Sequence, residues 1–107
     1  MKTGLTLAAC AFAMTASAAW SQTVTVITPY LAQPGTQAAI EGFETAAEGR
    51  EWEVNVIDTA GDVAAVISRI EDAVNQNVDA IVIAVDPAQV GVGLLAAQDA
   101  GIPVVGL

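Results

Sequence analysis

Tyr30, Asp58 and Asp86 are the residues whose types and settings could do chemistry, because each follows an extended stretch at the point where it gives way to a turn. A carboxylate at a strand's carboxyl end is acceptor-only and makes strong charge-assisted hydrogen bonds to the hydroxyls of a small molecule. Asp86 has that role open to it and a structural one beside it, since Pro87 follows and Asp-Pro both caps and starts a helix. Tyr30 can stack its ring on the C–H face of a ligand or pack beneath its own loop. Asp58 adjoins a tight turn, and its first expected role is to hold that turn. The 107 residues contain no histidine, so the commonest general base and metal ligand is missing. Hydrolytic and zinc chemistry are therefore less expected.

These side chains need elements to position them, and the stretch 78–87 supplies the central one. Residues 80–85 are an unbroken, β-branched apolar run bounded by Asp79 and Asp86-Pro87, the pattern of a strand buried on both faces. In open α/β sheets ligands sit beyond the carboxyl ends of such strands, which makes Val85-Asp86 the corner to watch. Upstream, residues 23–27 form a first strand closing on Thr28-Pro29. A helix is expected from Thr36, with Thr36 as its cap and Ala39, Ile40, Phe43, Ala46 and Ala47 inward. Residues 52–57 alternate, Trp52, Val54 and Val56 against Glu53, Asn55 and Ile57, as an edge strand does. Asp62 caps a second helix whose Val63, Val66, Ile67, Ile70 and Val74 share one face, and Asn77 ends it in a left-handed conformation. A third helix is expected over 87–99 with Val90, Leu94 and Ala97 inward, Gly101 stopping it before a strand at 102–105. Strand, helix, strand, helix, strand, helix, strand with short connections predicts an α/β doubly wound parallel sheet with right-handed crossovers. No helix follows the fourth strand, so one sheet face is expected to stay bare and the chain to be the front part of a longer protein.

The start of the chain reads differently. Met1-Lys2, the apolar stretch 5–13 and the small-x-small Ala16-Ser17-Ala18 predict a secretory signal peptide over residues 1–18, leaving 19–107 as the mature part. Leu7-Ala8-Ala9-Cys10 has the form of a lipoprotein box, although the apolar stretch continues past Cys10; cleavage after Ala18 removes the only cysteine, and with it any disulfide or thiolate chemistry. Three basic and twelve acidic residues give a net charge of −9, which argues against nucleic acid or anionic membranes as partners. Gly91-Val92-Gly93-Leu94-Leu95-Ala96 matches a dinucleotide fingerprint in form only, since its glycines fall inside a helix and some residues past a strand end. No cofactor and no metal is expected.

From Thr23 to Leu107 the chain resembles the N-terminal lobe of type I periplasmic binding proteins, the ribose- and galactose-binding-like subunits of ABC sugar importers. The likeness is carried by Gln33-Pro34, Glu41-Gly42-Phe43, Asp58, the run Ile70 to Val74, Val78 to Ile83 and Ala100 to Val105, in that order and spacing. The resemblance implies a two-lobed periplasmic protein without catalytic activity that closes on a sugar-like ligand and delivers it to a membrane permease. It also implies site roles for Tyr30, Gln33, Thr36 and Asp86. Where the family often has asparagine-proline followed by aromatic residues, this chain has Gln33-Pro34-Gly35-Thr36; Gln33 keeps an amide for hydroxyls, and the stacking pair is lost. A ligand-sensing receptor ectodomain shares fold and compartment with this reading. A small flavodoxin-like nucleotide-binding enzyme needs a glycine-rich phosphate loop after the first strand, where residues 29–33 have no glycine.

Overall fold

The computed structural model describes residues 21–107, so the expected signal peptide at 1–18 and Cys10 lie outside the described residues. Four strands, β1 (Thr23–Thr28), β2 (Glu53–Asp58), β3 (Ala80–Ile83) and β4 (Val104–Gly106), pair in parallel in the order β2-β1-β3-β4. The register places Val26 beside both Val56 and Val82. Helices α1 (Pro34–Glu48), α2 (Val63–Asn75) and α3 (Gly91–Asp99) connect them. The chain steps from β1 outward to β2, then back past β1 to β3 and β4. Right-handed crossovers then put α1 on one face and α2 and α3 on the other.

The alternation of side chains along each strand divides the core accordingly. Val24, Val26 and Val82 meet Ile40 under α1, with Phe43, Trp52, Val54 and Val56 partly buried around them. Ile27, Ile81 and Ile83 meet Val66, Ile70, Ala73, Val90 and Ala97 under α2 and α3. Strand β3 is buried through Ile81, Val82 and Ile83, as its unbroken apolar run predicts, while Glu53 and Asn55 of β2 are exposed at the sheet edge. The expected division of β2 also holds, with Trp52, Val54 and Val56 in one cluster and Ile57 in the other.

Helix ends follow local chemistry. Asp62 accepts a hydrogen bond from the Ala65 amide at 3.1 Å and caps α2 as expected. Asp62→Ala is predicted to cost about 1 kcal/mol of stability with no change in fold, read as a lower urea midpoint at constant slope. Asn77 ends that connection at φ +56°, the left-handed conformation that its type favours, and Gly101 follows α3 at φ +74°. Asp79 closes the lower end of the sheet, its carboxylate accepting from the Thr23 amide at 2.8 Å.

Three features differ from expectation. Thr36 is not a cap: α1 begins two residues earlier at Pro34, which needs no amide donor in the first turn, and Gln33 is the capping position without a side-chain bond. The expected helix at 87–99 is a short 3₁₀ turn, Pro87–Gln89, followed by α3, the two meeting at Val90, fully buried at φ −125°. Val90 is inward as expected, on one face with Leu94 and Ala97, so the break changes the backbone at this residue and not the side that it presents to the core. Ala39 and Ala46 of α1 are exposed rather than inward.

Candidate functional site

The reversal of chain direction across the sheet leaves a crevice between the carboxyl ends of β1 and β3. The loop after β1 (residues 29–33) runs to one side and the loop after β3 (84–86) to the other, so the two diverge there. Thr28, fully buried at the end of β1, ties them together. Its hydroxyl donates to the Ala84 carbonyl at 3.1 Å and accepts from the Tyr30 amide at 3.0 Å. The Gln33 amide donates to the Tyr30 carbonyl at 2.9 Å, folding residues 30–33 into a turn that delivers the chain to Pro34. The loop after β2 supports this from beside: the Thr59 amide donates to the Thr28 carbonyl at 3.0 Å and the Gly61 amide to the Pro29 carbonyl at 2.8 Å. Ala60 and Gly61 both hold positive φ to make that approach.

Tyr30 is half-buried at the head of its loop, Gln33 exposed at the start of α1, and Asp86 exposed at the corner after β3. The topology therefore brings these three to one edge of the sheet, on either side of the crevice. Thr36 is half-buried and shares the sheet-facing side of α1 with Ile40 and Ala47, four and eleven residues on, so it stands one turn behind the other three. Asp86 does cap, with Oδ1 accepting from the Ala88 amide at 3.0 Å. Its Oδ2 has no hydrogen-bond partner among the described residues. Asp58 accepts from the Ala60 amide at 2.9 Å and holds the turn, the structural role expected of it.

Thr28 is the residue that sequence reasoning passed over. Its only signal is a hydroxyl residue placed between a strand and a proline, and its partner Ala84 lies 56 residues away. Of the dinucleotide-like glycines, Gly93 is accounted for by packing, buried against Ile70 of α2, while Gly91 opens α3 with nothing within 4 Å of an added Cβ. Two apolar hollows, of about 360 Å³ beside α3 and β4 and about 200 Å³ on the α1 side of the sheet, contain none of Tyr30, Gln33, Thr36 and Asp86. The candidate residues instead form an open ledge. Among the described residues no group of three His, Cys, Asp or Glu side chains could hold a metal ion, and no helix is long and apolar enough to cross a membrane.

Solved proteins share the fold of this chain. An ABC transporter solute binding protein from Mycobacterium smegmatis with bound glycerol superposes with a TM-score of 0.73 at 24% identity, over 81% of this chain and 31% of its own. The 5-methylthioribose transporter solute binding protein from Thermotoga lettingae TMO, in complex with 5-methylthioribose, gives 0.72 at 24% identity over 78% and 27%. LsrB from Clostridium saccharobutylicum, in complex with AI-2, gives 0.70 at 32% identity over 78% and 26%. The chain thus spans under a third of the length of these proteins. No curated protein sequence matches it. Residues 24–107 match the family described as a periplasmic binding protein domain, with the sheet, its strand order and its switch-point loops all inside the matched span. The chain belongs to the periplasmic binding protein domain family.

Proposed function

We propose that residues 19–107 are the N-terminal lobe of an extracytoplasmic solute-binding component of an ABC importer, exported by residues 1–18 and capturing a sugar or sugar-like polyol. The observation that carries this reading is the convergence of Tyr30, Gln33 and Asp86 at the β1/β3 crevice, with Thr36 one turn behind. One ring, one carboxamide and one free carboxylate oxygen form a set suited to C–H faces and hydroxyls. Glycerol and 5-methylthioribose, bound by two of the similar proteins, are hydroxyl-bearing molecules of that kind. The lobe binds without catalysing, and its partner for delivery is a membrane permease at the periplasmic side.

A ledge grips weakly until a second lobe closes over it and excludes water. Calorimetry on the 107-residue chain with ribose, glucose or glycerol is expected to show no binding tighter than about 1 mM, or about −4 kcal/mol. The polypeptide encoded by the complete reading frame is expected to bind one such polyol at micromolar affinity. Asp86→Asn keeps the oxygen that caps Ala88 and removes the charge, so it should weaken that binding by about tenfold, the difference between a charged and a neutral acceptor. Micromolar binding to the 107-residue chain alone would remove the two-lobe reading; an unchanged affinity in Asp86→Asn would remove Asp86 from the site.

A further inference from the structure

Both polar atoms of the Tyr30 backbone are bonded. The amide donates to Thr28 Oγ1 at 3.0 Å, and the carbonyl accepts from the Gln33 amide at 2.9 Å. The Pro29 carbonyl, the other half of the peptide group that carries the Tyr30 amide, accepts from the Gly61 amide at 2.8 Å. A peptide group is planar and stiff, so gripping it at both ends fixes the direction in which the Tyr30 side chain leaves the backbone. One of those two grips comes from another loop, the one after β2.

That loop is shaped to present its amides. Register sets Asp58 beside Thr28 at the ends of β2 and β1. Beyond them the Thr59 amide reaches the Thr28 carbonyl and the Gly61 amide the Pro29 carbonyl, the two carbonyls that precede Tyr30. Between the two donors stands Ala60 at φ +52°, a left-handed conformation that alanine rarely adopts. Asp58 offsets its cost, since Oδ1 accepts from the Ala60 amide at 2.9 Å. Thr59 Oγ1 closes the far side of the turn by donating to the Asp62 carbonyl at 2.8 Å. Asp58 is exposed, so its side chain fills no part of the core, and its measurable effect is on the turn.

We infer that Asp58 is a positioning residue for the ligand. It sets the turn at 59–61, the turn fixes the Pro29–Tyr30 peptide group, and that group directs the Tyr30 ring, with no contact between Asp58 and the ligand. The consequence for binding rests on the role of Tyr30 proposed above. A ring that is already held loses little freedom when a ligand stacks on it, whereas a ring released by a slack loop must be ordered at the moment of binding. Ordering one such side chain lowers affinity by up to about tenfold.

The test has two arms. Tyr30 is the only tyrosine of the 107-residue chain, so isotope labelling of tyrosine nitrogen gives one backbone amide signal by NMR. Asp58→Ala is expected to shift or broaden that signal, and Asp58→Asn, which keeps the accepting oxygen, to leave it in place. Gly61→Ala is expected to move it too, because φ +86° suits no L side chain although nothing lies within 4 Å of the added Cβ. Asp62→Ala is the control: it removes the α2 cap at the end of the same loop and leaves the Tyr30 signal alone. An unmoved signal in Asp58→Ala, or an equal shift in Asp62→Ala, would overturn the inference. The second arm is polyol calorimetry on the polypeptide of the complete reading frame. Asp58→Ala is expected to weaken binding about tenfold, Asp58→Asn to restore it, and Asp58→Ala to add nothing once Tyr30 is replaced by alanine. A loss that persists in the Tyr30→Ala background would overturn the route through Tyr30. Absence of polyol binding by the unmodified polypeptide overturns the ligand reading instead, and the NMR arm still decides whether Asp58 positions Tyr30.

Discussion

Thr28→Val is expected to destabilise the chain by about 2–4 kcal/mol, although the substitution preserves the shape of the side chain. The hydroxyl it removes is held at zero exposure between the Tyr30 amide and the Ala84 carbonyl. Each of those groups loses its partner in a place that water reaches poorly, and each orphaned group costs about 1–3 kcal/mol. The sum is a large share of the 5–15 kcal/mol that a typical domain possesses. Thr28→Ser separates the hydroxyl from the methyl group: it keeps both hydrogen bonds and gives up one buried methyl, about 1 kcal/mol. Urea unfolding should show a lower midpoint at constant slope for both variants, with valine well below serine. If serine proves as damaging as valine, the hydroxyl is not what joins the loops. The effect also reaches the candidate site, because this oxygen, beside the bond from the Ala84 amide to the Ile27 carbonyl, links the segments that carry Tyr30 and Asp86.

What made Thr28 illegible also explains which features could be read from the sequence. Helix α2 was legible because Val66 and Ile70 recur at helical spacing over a long segment, and its ends carry their own markers in Asp62 and Asn77. Strand β3 was legible because only a strand covered on both faces tolerates six apolar residues in a row. The positions of Tyr30 and Asp86 followed from topology, since loops after adjacent parallel strands emerge at the same edge of the sheet. Thr28 is different: a threonine in a strand is an ordinary β-former until its partner 56 residues away is known. Thr36 misled for a local reason, the stronger claim of Pro34 on the first helical turn. The division of the 87–99 segment left no mark in the apolar spacing, because Val90, Leu94 and Ala97 face the core whether or not the helix is broken at Val90.

Gly93 and Ile70 should be coupled strongly enough that one substitution reverses the sign of the other. A Cβ built on Gly93 lies 3.0 Å from Ile70 Cδ1, 3.3 Å from its Cβ and 3.4 Å from its Cγ2. The last two atoms are near the α2 backbone and cannot swing aside, so the helices must part. Overpacking of this kind costs about 1–3 kcal/mol, against a gain of about 1 kcal/mol from replacing glycine by alanine within a helix. Gly93→Ala alone is therefore expected to destabilise by about 1 kcal/mol, and Gly93→Val by more. Ile70→Ala alone empties the centre of the larger core and is expected to cost about 2–5 kcal/mol. In that background two of the three close contacts disappear, leaving only the 3.3 Å approach of Cβ to Cβ. Gly93→Ala then fills part of the void and keeps its propensity gain, so it should stabilise by about 1 kcal/mol. The double-mutant cycle would read a coupling of about 2 kcal/mol with opposite signs in the two backgrounds. Additive losses would mean that α3 already stands off α2 at this point, and the missing side chain at Gly93 would then need another explanation than the close approach of these two helices.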